Sequence, residues 1–100
     1  MTDNSERHGG IPVDHTRQLP RLRRIEGQVR GLHQMIDNQR SCIEVAHLIE
    51  AVIAALRRVE ADMLKDHLQA LVKAVASGEL STDERDRLID EISRVIRKIG

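Results

Sequence analysis

The chain of 100 residues contains no Phe, Tyr or Trp. Any core must therefore be aliphatic, built from Leu, Ile, Val, Ala and Met. A small chain of that kind buries limited area alone, so assembly with other subunits is expected. Cys42 is the only cysteine, which excludes an internal disulfide. There is no apolar run long enough to span a membrane and no secretory signal at the start, so a cytoplasmic, membrane-free location is expected. Formal net charge is zero, which taken alone argues against a general nucleic-acid binder.

The distribution of charge argues the other way. Arg17, Arg21, Arg23, Arg24 and Arg30 face a single acid, Glu26, in the stretch from Thr16 to Ile36, while Asp83, Glu84, Asp86, Asp90 and Glu91 gather near the C-terminus. Residues 1 to 15 are polar, carry Gly9, Gly10 and Pro12, and lack periodicity, so they read as a mobile tail ahead of one helical domain at 16–100. A first helix begins between Thr16 and Leu19, because Pro20 is tolerated only where a helical N–H has no partner to lose. Leu19, Leu22, Ile25, Val29, Leu32 and Ile36 give it an apolar stripe, and Asp37 to Arg40 form the connection.

A second helix runs from about Cys42 to Ser77 and stops at Gly78. Val45, Ile49, Val52, Leu56, Val59 and Met63 alternate in steps of four and three, the seam of a coiled-coil-like packing, and Leu64, Leu68, Leu71 and Val75 add another stripe. A helix of roughly 35 residues outruns what the first helix can cover, so much of its apolar surface should meet another subunit. A third helix follows a capping box, Ser81 to Glu84, with Leu88, Ile92, Val95 and Ile99 on one face. The expected architecture is all-α with three helices per chain.

Cys42 lies in Ser-Cys-Ile-Glu, where Ser41 and Glu44 have capping-box spacing. A thiol in the first turn of a helix meets the positive end of the dipole, which favours the thiolate that binds soft metals and attacks electrophiles. The competing reading is a small buried side chain. His67 comes 25 residues later on the same helix, roughly 37 Å away at 1.5 Å per residue. One chain cannot join the two, whereas an antiparallel pair of second helices can, if they cross near Ala54 and Ala55. Ala51, Ala54 and Ala55 are small enough for close approach at a twofold axis. The bland alternative for His67 is a helix residue with a local hydrogen bond.

The segment Arg21-Leu-Arg-Arg-Ile-Glu-Gly-Gln-Val-Arg-Gly-Leu32, Cys42-Ile43 after a short linker, Ala51 through Arg58, and Met63-Leu64 with Asp66-His67-Leu68 together resemble the small helical bacterial repressors. These include the copper-sensitive operon repressor, the nickel/cobalt repressor and the formaldehyde-responsive repressor. The resemblance covers nearly the whole chain from Arg17 onward. It implies a dimer built as an antiparallel four-helix bundle, pairing into a tetramer, that binds operator DNA and leaves it when an inducer occupies a Cys and His site between subunits. Arg21 and Arg58 match basic residues that the family uses for DNA, and Arg17 and Arg24 extend the cluster suited to phosphate contacts. Ser41 stands where copper relatives often have tyrosine, and Glu91 matches a glutamate coupled to the site.

At one position the chain departs from the copper pattern. Copper-sensing members carry a second cysteine one turn after the histidine, and here that position is Leu71, a hydrocarbon that cannot bind copper(I). Two inducer classes stay open. A transition metal (copper(I), nickel or zinc) would be held by Cys42, the partner's His67 and a tail group such as His8 or His15. Otherwise Cys42 is a thiol that reacts with formaldehyde or another electrophile, with His67 as base or orienter. An enzyme is not expected, since no histidine or carboxylate follows His67 at i+3 or i+4 and no nucleophile, base and orienter set is apparent. A helical adaptor without DNA binding would explain the stripes but neither the capped thiol nor the arginine-dense first helix.

Overall fold

The computed structural model describes residues 11–99. A 3-10 turn at Thr16–Gln18 leads into α1 (Leu19–Asp37), α2 (Cys42–Ala76) and α3 (Thr82–Ile99), and the described residues contain no strand. Pro20 falls in the first turn of α1, as its missing donor requires. Asp37 belongs to α1, and α2 ends one residue short of Ser77. Gly78 sits just past that end with φ of 73°. The side chain of Ser77 turns back to donate to the carbonyl of Ala74 at 2.7 Å.

The α1–α2 connection closes without glycine. Gln39 takes φ of 55°, while the Arg40 N–H donates to the carbonyl of Met35 at 2.9 Å and the Gln39 N–H to that of Ile36 at 3.1 Å. This is the paired bonding of a Schellman termination, made here by a residue that pays a conformational cost glycine would avoid.

The chain forms two compact units. The first is His15–Glu60, where Ile25 of α1 and Val52 and Val59 of α2 are buried. Gly31 belongs to the close approach of the two helices, a Cβ there meeting Leu48 at 3.6 Å. The seam from Val45 to Met63 is only partly used inside the chain. Ile49, Ile53 and Leu56 remain exposed, as do Val29 and Ile36 of α1, so this unit presents an uncovered aliphatic face. Ala51 and Ala54 are exposed and Ala55 is half-buried.

In the second unit, residues 61–99 together with 11–14, Leu71 is wholly inaccessible and forms the core with Leu88 and Val95. Leu64, Leu68, Ala74 and Val75 of α2, Leu80, Ile92 of α3 and Ile11 pack around it. Burying a leucine completely is worth about 1.5–3 kcal/mol, so these three residues carry much of this unit's cohesion. Ile99, expected on the buried stripe, is half exposed at the last turn of α3. The helix opens on Asp83 and Glu84 and closes on Arg97 and Lys98, charges that complement its dipole at both ends.

Candidate functional site

Cys42 is the first residue of α2, and it is exposed. Its position is fixed by local chemistry. The Ser41 Oγ accepts the Glu44 N–H at 3.2 Å and lies 3.3 Å from the Glu44 carboxylate, and the Ser41 carbonyl takes the Val45 N–H at 3.1 Å. These bonds satisfy donors that a helix start would otherwise leave orphaned. Arg40 clasps the other Glu44 oxygen in an exposed i,i+4 ion pair, a contact worth a few tenths of a kcal/mol at most. Sequence reasoning found the cap and missed the clasp.

His67 is half-buried on α2, between Leu64 and Leu68, both of which pack on the core of the second unit. Leu71, one turn further, is the most deeply buried side chain of that core. Cys42 and His67 lie 25 residues apart on a single unbroken helix. Among the described residues no three His, Cys, Asp or Glu side chains are grouped to hold a metal ion. A thiolate and an imidazole are both donors suited to a soft metal. His15 is half-buried with its Nδ1 sequestered and without a hydrogen-bond partner. His8 lies outside the described residues.

The four arginines marked out in the sequence occupy the first unit. Arg17 is in the 3-10 turn and Arg21 and Arg24 follow on α1, at spacings that put them on successive turns of one side. Arg17, Arg24 and Arg58 are exposed, and Arg21 is half-buried. Arg21 Nη1 donates to Gln18 Oε1 at 3.2 Å. Gln18 is the one buried polar residue of the described chain, at 2 % exposure, so it acts as a fixed post that limits the swing of the Arg21 guanidinium. Nothing in the sequence pattern singled out Gln18. Glu91, on α3, is half-buried.

A family model described as metal-sensitive transcriptional repressor matches residues 14–98. The chain belongs to this family. Among curated relatives, the copper-sensing transcriptional repressor RicR of Mycobacterium tuberculosis is 48% identical over 64 residues, covering 63% of this chain and 67% of the relative. The copper-sensing transcriptional repressor CsoR of Bacillus subtilis is 39% identical over 79 residues, covering 78% of this chain and 73% of the relative. No solved structure matches the chain. Membership makes this protein one of a family of transcriptional repressors rather than of enzymes. No helix of the described residues is long and apolar enough to cross a membrane.

Proposed function

We propose that the chain is a DNA-binding repressor that works as a dimer of dimers, each dimer an antiparallel four-helix bundle, and that an inducer acting at Cys42 of one protomer and the partner's His67 releases it from its operator. The observation that carries this reading is the placement of the only thiol at the exposed, capped start of α2 with His67 far along the same helix. Such a pair functions together only across a subunit boundary. The uncovered Ile49, Ile53 and Leu56 share one side of α2 and supply an apolar surface for that boundary.

Arg17, Arg21, Arg24 and Arg58 are the proposed phosphate contacts. Arg21 is tethered to Gln18, and a guanidinium held in place loses less freedom on binding DNA. The inducer favoured by kinship is copper(I), since RicR and CsoR are named as copper sensors and a thiolate with an imidazole is a soft donor pair. With Leu71 withdrawn into the core, a third donor would come from the N-terminal segment, His15 or His8. The same exposed thiol also fits a reactive role toward formaldehyde or another electrophile, and the test separates the two.

An inducer alters DNA affinity only by binding two assembly states unequally, a coupling typically worth about 1–3 kcal/mol. The cap of α2 at Ser41 and the half-buried Glu91 are the proposed route by which the site biases those states. Fluorescence anisotropy with a labelled duplex, using wild type and Cys42→Ala, tests the scheme as copper(I), nickel, zinc and formaldehyde are added in turn. Binding that weakens steeply with salt, by a slope of roughly 0.9 for each phosphate contact, identifies the arginine interface. Release by copper(I) that is lost in Cys42→Ala supports the metal reading, and release by formaldehyde alone supports the electrophile reading. Absence of DNA binding under every condition would leave a helical adaptor.

A further inference from the structure

Glutamine is mostly an exposed residue, yet Gln18 is buried among described residues whose other buried side chains are all aliphatic. It stands in helical register with Leu22, Ile25 and Val29, so a hydrocarbon at this position would continue the apolar stripe and spare the cost of burying an amide. Gln18 closes the 3-10 turn, and its N–H donates to the carbonyl of His15 at 2.9 Å. With backbone and side chain both held, its Oε1 accepts from Arg21 one turn further on. Arg21 is half-buried, whereas Arg17 and Arg24 on the same side of the helix are exposed. A carboxylate in the same place would grip the guanidinium harder, since bonds between opposite charges are the stronger kind, but it would compete with a phosphate for the same cation.

We infer that Gln18 is a positioning residue for DNA binding: a buried, neutral acceptor that helps to order Arg21 before DNA arrives and adds no negative charge to rival a phosphate. A long side chain loses rotational freedom when binding fixes it, and the loss is smaller for one already held. Gln18 suits that task because its own freedom is spent on folding rather than on binding. Its neutrality is as much a part of the role as its acceptor, because the two together give orientation without screening. Gln18 has this role only if Arg21 is a phosphate contact, as proposed above, and the two statements fail in different ways.

The test titrates the full-length protein into a labelled duplex of mixed sequence at low salt, a probe whose binding rests on phosphate contacts, with anisotropy as the readout. Wild type is compared with Gln18→Met, Gln18→Glu, Arg21→Ala and the double variant of Gln18→Met with Arg21→Ala, each checked for folding by circular dichroism. Methionine keeps the unbranched shape and the burial and removes the amide. Gln18→Met should weaken binding by about two- to ten-fold, the factor for ordering one long side chain, at the salt slope of wild type. Gln18→Glu should weaken binding and lower the slope by roughly 0.9 for each Arg21 at the DNA. Once Arg21 is alanine, Gln18→Met should cost nothing more, a coupling that a merely structural residue does not show. Equal losses from Gln18→Met with and without Arg21 overturn the proposal, as does a Gln18→Glu protein with wild-type affinity and slope. Gln18→Met that binds as wild type while Arg21→Ala does not overturns the role of Gln18 and leaves Arg21 a DNA contact. Arg21→Ala that binds as tightly as wild type overturns both.

Discussion

Replacing Leu71 by alanine tests whether this position belongs to the core rather than to an accessible site. Leu71 is wholly inaccessible and contacts Leu88 and Val95, themselves buried, on α3. Truncation to alanine removes the transfer energy of the lost carbons and leaves a void whose cost depends on how far the walls relax, with losses of about 2.7–5 kcal/mol for such changes. The α3 side of this void is lined by the buried Leu88 and Val95. Its other side is lined by half-buried Ile11, Leu64 and Leu68, which can shift inward, so a loss of about 3 kcal/mol is expected.

Against a total of about 5–15 kcal/mol for a domain of this size, that is a large share, and it lowers Tm by roughly 12–24 °C. Without aromatic residues the chain offers no intrinsic fluorescence, and circular dichroism at 222 nm during urea and thermal unfolding is the suitable assay. Protein concentration is held fixed, since assembly would add its own stabilisation. The exposed Gln69, two residues before Leu71, is the control, and Gln69→Ala should stay within about 0.5 kcal/mol of wild type. A loss below about 1 kcal/mol for Leu71→Ala would refute the reasoning, because no fully packed leucine is so dispensable.

Two further substitutions probe the ends of α2 and α3. Gly78 holds φ of 73° with no atom within 4 Å of where a Cβ would stand, so Gly78→Ala meets only the left-handed backbone cost. That is about 1 kcal/mol, partly offset by a stiffer unfolded chain, and a thermal melt should show a fall of a few degrees. Glu84 titrates below its ordinary 4.5 because of the Ser81 hydroxyl first, then the Ser81 backbone N–H, with Arg87 adding to these. A carboxyl depressed in this way stabilises the folded chain above pH 4.5, and the effect disappears as pH falls through its lowered value. In Ser81→Ala an NMR titration should find Glu84 returned toward 4.5, and the stability gap to wild type should narrow on acidification.

The helix boundaries were legible where local chemistry sets them. Ser41 and Ser81 accept the Glu44 and Glu84 N–H groups, Pro20 opens α1, and Gly78 stops α2, each readable from neighbours a few residues away. The period of apolar residues located Ile25, Val52, Val59, Leu71, Leu88 and Val95 as core. It could not separate the seam positions that pack within the chain from Ile49 and Leu56, which stay exposed, since all of them share one stripe. Gln18 was invisible to periodicity because its burial comes from tertiary contact and its value from a bond to Arg21. Ile11 was hidden for a related reason, because two apolar residues around a proline in a polar stretch make no helical period. For the site, the sequence located the thiol at a capped helix start. The proposed pairing with His67 needs a second chain, whose register a single helix does not encode.

The exposure of Cys42 sets an upper limit on what oxidation can do to this protein. A chain with one thiol has a valence of one in disulfide chemistry, and its only possible disulfide partner is another molecule. Disulfide formation therefore stops at covalent pairs or at capped single chains. It cannot build a disulfide-crosslinked polymer, and one equivalent of dithiol reductant per disulfide pair returns that pair to two thiols.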